Sequence, residues 1–204
     1  MAGPGIDLTL ATRSISPTVI IASAETLADI HHAGATNSKN TLQKFAHVSQ
    51  LQMLRAGQLS TDTVLSKMFG ARAGAVGATP AKLRLIFVSE RIDGGTPELT
   101  ASMLNDLRVF TRARICYALT ASKVAGAVAQ TNMYDYRGDD RPGHGHFGVP
   151  VSSVEIKLVS PRDSELAGNT PRGEIVVTGP AVAGEEARLG AQGTFRDDCT
   201  LAYA

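Results

Sequence analysis

Two short blocks hold the residue types that handle a flat, phosphorylated ligand: Gly94-Gly95-Thr96-Pro97 and Tyr117-Ala118-Leu119-Thr120. Glycines let backbone approach a heteroaromatic ring, a tyrosine face stacks on it, and a threonine hydroxyl is free to bond a phosphate oxygen. On spacing alone, a tight turn followed by a core tyrosine is the simpler account of the same residues. Both readings stand at this point.

Other constellations carry less. Gly143-His144-Gly145-His146-Phe147-Gly148 fits G-x-G-x-x-G, but that motif needs a strand before it and a helix after it to put the phosphate on a helix N-terminus. Val149-Pro150 and then a strand follow here, so a dinucleotide is not expected. His144 and His146 offer a metal pair with Asp139 or Asp140, set against the plainer reading of an exposed glycine-rich turn; no second cluster has metal spacing. Arg137-Gly138-Asp139 reads as a polar turn. Neither a G-x-S-x-G nucleophile elbow nor a G-x-x-x-x-G-K-[ST] phosphate loop is present.

The elements that position the two blocks follow from periodicity. Thr18–Ser23 reads as a buried strand, and Ala24 to about Gly34 as a helix with Leu27 and Ile30 inward. Apolar residues recur at helical spacing over 41–57 and again over 61–69, and 70–80 is a Gly/Ala-rich connector. Leu83–Val88 is a strand, Pro97–Phe110 a helix and Arg114–Leu119 the next strand. Strand, helix and strand make a βαβ unit with a right-handed crossover. Ligands sit at the carboxyl ends of such strands, which here means the loops after Val88 and Leu119. Beyond Tyr134 the pattern changes to turns and alternating strands over 154–159, 173–179 and 194–204. The expected organisation is a loose lead-in over 1–16, a partial α/β subdomain over 17–140 and a partial antiparallel β subdomain over 141–204.

Composition narrows the class. Of 204 residues, 43% are hydrophobic and 19% charged, which is globular and too weakly charged for disorder. Lys plus Arg number 20 against 19 Asp plus Glu, a net charge of +1 that leaves no electrostatic footprint for nucleic acid. Trp is absent and aromatics are 5%, which disfavours a base-stacking platform. Cys116 and Cys199 are too few for a disulfide framework and read as reduced thiols. No stretch approaches the ~20 apolar residues of a spanning helix. The run Val19-Ile20-Ile21-Ala22 follows Pro17 and a single cation, Arg13, so it is not read as a signal peptide. Cytoplasm, or the cytosolic face of an organelle membrane, is the expected location.

From about Ser16 onward the chain resembles the AMP-forming acyl-CoA synthetases, the adenylate-forming ligase superfamily, and its long-chain fatty-acyl branch most of all. Pro17-Thr18-Val19-Ile20 is similar to the strand entering the middle of the family's large domain. Lys82-Leu83-Arg84-Leu85-Ile86 resembles the long-chain members' segment before their Gly-Gly-Ala-Pro-Leu loop, and that loop is here Gly94-Gly95-Thr96-Pro97-Glu98-Leu99. Tyr117-Ala118-Leu119-Thr120-Ala121 resembles the adenine-binding Tyr-Gly-x-Thr-Glu motif. Gly173-Glu174-Ile175-Val176-Val177-Thr178-Gly179-Pro180 is similar to the family's strand in its distorted β-barrel subdomain, and Phe195–Leu201 to the approach to its Thr-Gly-Asp motif.

The resemblance implies an α/β fold, with the parallel βαβ core of a large adenylation domain leading into part of an antiparallel distorted barrel. It implies ATP-dependent conversion of a fatty acid to an acyl-adenylate, then to acyl-CoA, with ATP or AMP, Mg²⁺ and CoA as ligands of the parent family. Gly94, Gly95, Thr96, Pro97, Tyr117, Ala118, Leu119 and Thr120 would form the nucleotide site. Within it Tyr117 would stack on adenine and Thr120 would contact phosphate, while Val124, Ala125 and Gly126 would lie near the acyl channel. The departures are specific. Position 118 is Ala in place of Gly, and position 121 is Ala in place of the Glu that holds Mg²⁺; Lys123 is a cation and cannot substitute for a carboxylate. With neither an upstream phosphate loop nor the catalytic-lysine domain, the chain is expected to be a partial one, inactive alone, with self-association through exposed sheet edges. A non-catalytic nucleotide- or protein-binding relative is the alternative.

Overall fold

The computed structural model describes residues 15, 17–35, 41–58, 83–93, 95–135, 143–160 and 170–204. The expected helix over 61–69, the connector over 70–80, Lys82, Gly94, and Arg137 to Asp140 lie outside the described residues.

The β-branched run after Pro17 forms strand β1 (Val19–Ser23), which passes directly into helix α1 (Ala24–Ala35), followed by α2 (Thr41–Arg55). Strand β2 (Leu85–Arg91), helix α3 (Ala101–Thr111) and strand β3 (Arg114–Thr120) complete the βαβ unit. Helix α3 begins four residues after Pro97 because the Thr100 hydroxyl accepts the Met103 N–H at 3.2 Å and caps it there. It ends where Arg112 turns left-handed, at φ 53°.

Strands β1, β2 and β3 are parallel, with Ile20, Ile86 and Ile115 aligned across all three. The direction reverses at β4 (Ala127–Gln130), which pairs antiparallel with β3. The sheet continues through β5 (His146–Pro150), β9 (Leu201–Tyr203), β8 (Glu186–Phe195), β7 (Arg172–Thr178) and β6 (Glu155–Val159). Among the described residues the order β1-β2-β3-β4-β5-β9-β8-β7-β6 makes one nine-stranded sheet that begins at β1 and ends at β6. One hydrophobic cluster runs from Ile20 and Leu27 through Leu119 and Phe147 to Ile175 and Leu201, crossing from the parallel to the antiparallel part without a break.

Strand parity decides what faces the core. Ile20, Ile86, Val88, Ile115, Tyr117 and Leu119 are buried among α1 and α3 residues such as Leu27, Leu104 and Leu107. The alternate residues Val19 and Ile21 face away and are exposed. The histidine-bearing glycine run belongs to this packing, not to a phosphate loop. Gly148, at φ +80°, lies so close to the Gln130 carbonyl of β4 that a Cβ would collide with it. A Cβ on Gly145 would meet Leu104 at 2.6 Å.

Candidate functional site at the rim of strands β2 and β3

The parallel register Glu90↔Leu119 and Arg91↔Thr120 brings the ends of β2 and β3 side by side. The loops that leave them are tied together. Asp93 accepts from the Ser122 N–H at 3.2 Å and the Ser122 hydroxyl at 3.1 Å, and its other oxygen accepts from the Arg91 Nε–H at 2.5 Å. The Arg91 and Ser122 donors hold the Asp93 carboxyl below the usual carboxylate range. The Ile92 N–H donates to the Thr120 carbonyl at 3.2 Å, which closes the rim.

A second pin lies beneath. Glu90 is 2% exposed. Its carboxyl group accepts from the Tyr117 hydroxyl at 2.6 Å, the Glu98 N–H at 3.2 Å and the Leu99 N–H at 3.4 Å. One side chain thus anchors the Gly95–Leu99 loop to two strands. Sequence reasoning passed over Glu90; a lone acid at the end of a buried apolar strand was the available signal, since buried polar groups need partners.

Each expected site residue can now be placed. Gly95 and Thr96 are exposed at the rim, and Pro97 is buried against it. Thr120 is half-buried, with its hydroxyl donating to the Glu90 carbonyl and lying 3.1 Å from the Ser89 hydroxyl. Ala118 is half-buried and Leu119 is core.

Tyr117 departs from the purine-stacking expectation. Parity points it into the helix-covered side, where it is 0% exposed and stacked on Phe147 with ring centroids 5.1 Å apart. Burial, with the neighbouring Glu90 charge, pushes its hydroxyl well above the ordinary phenol range. In this arrangement neither face of the ring is open to a ligand.

Val124 is buried and bridges to Val182, while Ala125 and Gly126 are exposed. The Ala125 N–H donates to the Ala181 carbonyl at 2.8 Å, and the Ala183 N–H to the Lys123 carbonyl at 2.8 Å. Lys123, Val124 and Ala125 are thereby brought against the β7–β8 connection.

Ala121 is 7% exposed and presents only a methyl group, so no carboxylate stands at the position where the family motif has its magnesium ligand. Among the described residues no group of three or more His, Cys, Asp or Glu is arranged to hold a metal ion. Ala121 thus leaves the end of β3 without the hard oxygen ligand that the family motif has there. The His144 ring lies edge-on to Tyr203 at 5.2 Å, and His146 Nδ1 accepts from the Gly148 N–H at 3.1 Å. His144 also borders a cavity of about 530 Å³ with Arg172, Arg196 and Tyr203, and it bridges to Thr100 at the end of the loop that leaves β2. No described helix is long and apolar enough to cross a membrane.

No protein-family model matches the sequence, and no curated protein sequence matches it. Solved structures do. Over 98% of this chain and 34% of the other, the fold is similar to unliganded O-succinylbenzoate coenzyme A synthetase from Bacillus subtilis, with a TM-score of 0.55 at 15% identity. An anthranilate CoA ligase solved with anthranoyl-AMP is similar over 100% of this chain and 33% of its own, with a TM-score of 0.57 at 16% identity. A benzoate CoA ligase from Burkholderia xenovorans LB400 is similar over 96% and 32%, with a TM-score of 0.55 at 14% identity. The Bacillus enzyme has also been solved with ATP and magnesium ion, and with AMP. The chain spans about a third of the length of these structures, and over that third it shares their fold.

Proposed function

We propose that this chain is part of an AMP-binding acyl-CoA synthetase and contributes the β2–β3 rim of its nucleotide site. The observation that carries the reading is the junction of the Gly95-Thr96-Pro97 loop with the Thr120–Ser122 strand end, held by Glu90 below and Asp93 above. Those two loops leave the carboxyl ends of adjacent parallel strands, where open α/β sheets place their ligands. A fatty acid as the carboxylate substrate and CoA as the acceptor extend the reading, on the sequence resemblance to the long-chain branch. Cytosol, or the cytosolic face of an organelle, is the compartment assigned.

In this reading the chain's residues position and do not react. Exposed Gly95 and Thr96 offer backbone to a purine edge, and Asp93 fixes the spacing between the two loops. The Thr120 hydroxyl donates to the Glu90 carbonyl and then accepts from the Ser89 hydroxyl, which leaves it one lone pair for a further donor and no hydrogen for a phosphate oxygen. Orientation of this kind is much of what in-line transfer at phosphorus asks of a protein. The metal-binding carboxylate is missing and the tyrosine ring is in the core, so the isolated chain is expected to bind AMP weakly and to turn over nothing.

The test joins ATP–pyrophosphate exchange in the presence of a fatty acid with an AMP titration followed by amide chemical shifts. Expected are no exchange, and shifts confined to residues 95–97 and 120–122. Robust exchange refutes the inactivity; no perturbation of those amides at millimolar AMP refutes the nucleotide site.

A second reading, a non-catalytic relative that keeps the fold, is favoured by Ala121 together with the buried Tyr117. Introducing Ala121→Glu into a chain completed with the missing two thirds separates the two. Restored adenylation supports the enzyme reading, and its absence supports the non-catalytic one.

A further inference from the structure

We propose that Arg91 is the phosphate-binding side chain of this rim, with Asp93 as the residue that orients it. The proposal rests on the nucleotide reading above and names the group that meets the ligand's anionic end.

Thr120 has no hydrogen to give a phosphate. Its hydroxyl donates to the Glu90 carbonyl at 3.1 Å, and its oxygen lies 3.1 Å from the Ser89 hydroxyl, which is then the donor of that pair. Both hydroxyl hydrogens are spent within the sheet. A phosphate oxygen accepts, so its donors come from another residue.

The strand register supplies one. Arg91 is the Cα partner of Thr120 across β2 and β3. Strand parity sends Ile86, Val88 and Glu90 into the helix-covered core and puts Ser89 and Arg91 on the other face. The Ser89–Thr120 contact shows that Thr120 shares that face. Arg91 therefore leaves the carboxyl end of β2 beside Thr120, with 69% of its side chain exposed.

Its guanidinium is fixed at one corner. The Nε–H donates to Asp93 Oδ2 at 2.5 Å. Asp93 is held in turn, since its Oδ1 accepts from the Ser122 N–H at 3.2 Å and the Ser122 hydroxyl at 3.1 Å. Arg91 is thus tied through Asp93 to the first turn beyond β3. The N–H groups on its two Nη atoms meet no acceptor among the described residues. They form a planar fork that matches two oxygens of one phosphate, and a side chain already held at Nε has less freedom to lose on binding. The Asp93 charge is offset by Arg91 itself, and both its oxygens face donors of the chain. Lys123, exposed next to Ser122, is a second cation, but a point charge on a flexible stem.

AMP and adenosine differ by the phosphate alone, so together they isolate this contact. The intact chain is titrated with each, followed by the amide shifts of residues 95–97 and 120–122. At low salt AMP should bind about threefold to fivefold more tightly than adenosine, the contribution of one exposed charged pair. Arg91→Met should bring the two affinities together, and Lys123→Met should keep them apart. Arg91→Lys covers the case in which the methionine variant misfolds. It keeps a cation for Asp93 without the fork, and should lose part of the preference for AMP. A preference that survives Arg91→Met, stays whole in Arg91→Lys, disappears with Lys123→Met or is absent in the parent chain overturns the proposal and leaves the nucleotide site standing. Amides that respond to neither ligand refute the nucleotide reading, and the assignment of Arg91 falls with it.

Discussion

Glu90 is the side chain whose removal should do most damage for its size. Its carboxyl group accepts three donors, from Tyr117, Glu98 and Leu99, and it is almost wholly buried. Glu90→Ala leaves the Tyr117 hydroxyl and the Leu99 N–H buried without an acceptor. At ~1–3 kcal/mol for each buried donor left unsatisfied, the two together cost about 2–6 kcal/mol. The Glu98 N–H sits on an exposed residue and can find water, so it adds little.

Tyr117→Phe removes one donor and leaves the carboxyl group with two, for about 1–2 kcal/mol. Glu90→Gln keeps shape and one accepting oxygen, and should fall between the two. Urea unfolding of the three variants, with the double variant closing the cycle, should give a coupling of more than about 1 kcal/mol between positions 90 and 117. Hydrogen exchange at Leu99 should quicken in Glu90→Ala before global unfolding. Equal costs for Tyr117→Phe and Glu90→Ala, or an alanine variant within about 0.5 kcal/mol of the parent, the range of inconsequential surface changes, would show that the carboxyl group is not the anchor.

Three other outcomes follow from the same kind of reasoning. Asp106 on α3 holds His31 of α1 and His47 of α2, each ring Nε2–H donating to one oxygen at 2.9 Å. Burial alone would raise its carboxyl, but the two imidazole donors outweigh burial and hold it below the usual carboxylate range. A depressed folded-state value means stability that is full above the unfolded pKa and lost as pH falls through the folded one. Asp106→Asn should therefore flatten the acid limb of a stability–pH curve below about pH 4, the unfolded aspartate range, and an unchanged limb would contradict the assignment. Gly148→Ala and Gly126→Ala share a positive φ but not a neighbourhood. The first drives a methyl into the Gln130 carbonyl and should cost about 3 kcal/mol or more, while the second meets open space and should cost about 1 kcal/mol, measured by thermal melts. Arg114→Ala should lower the protection of Tyr134 from surface labelling, since the guanidinium carbon lies 4.7 Å from that ring's centroid.

The parallel half of the fold was legible because its signals are local. Thr18–Ser23, 83–88 and 114–119 are apolar, β-branched runs, and the helices between them keep a clear period. Strands β4 and β5 were not legible. Ala127–Gln130 is four residues with no alternation, and His146–Pro150 contains glycine and proline. Both exist because neighbouring strands supply their hydrogen bonds, which is information from across the chain. The pairing direction reverses at Ala127, and one hydrophobic cluster spans both halves. At the site, the meeting of the two loops was legible from βαβ logic. Glu90 was not, because nothing in its neighbours announces which backbone groups will need an acceptor.

Parity in β3 now bears on function directly. Tyr117 shares a face with Ile115 and Leu119, and all three are buried. Placing the ring over a ligand at the rim by moving the strand one residue would send Ile115 and Leu119 to the opposite face as well. At ~1.5–3 kcal/mol for each large apolar side chain exposed, that shift costs more than a stacking contact returns. Rotating the side chain alone breaks the 2.6 Å bond to Glu90 and unstacks Phe147, so it too loosens the anchor of the Gly95–Leu99 loop. Ring and loop are coupled through one carboxyl group. A purine held at this rim would therefore rest on the backbone of residues 95–97 and on Thr120. Tyr117→Phe should accordingly weaken AMP binding through the loop it steadies, and by no more than Glu90→Gln does. A larger loss for the phenylalanine variant would mean that the tyrosine touches the nucleotide after all.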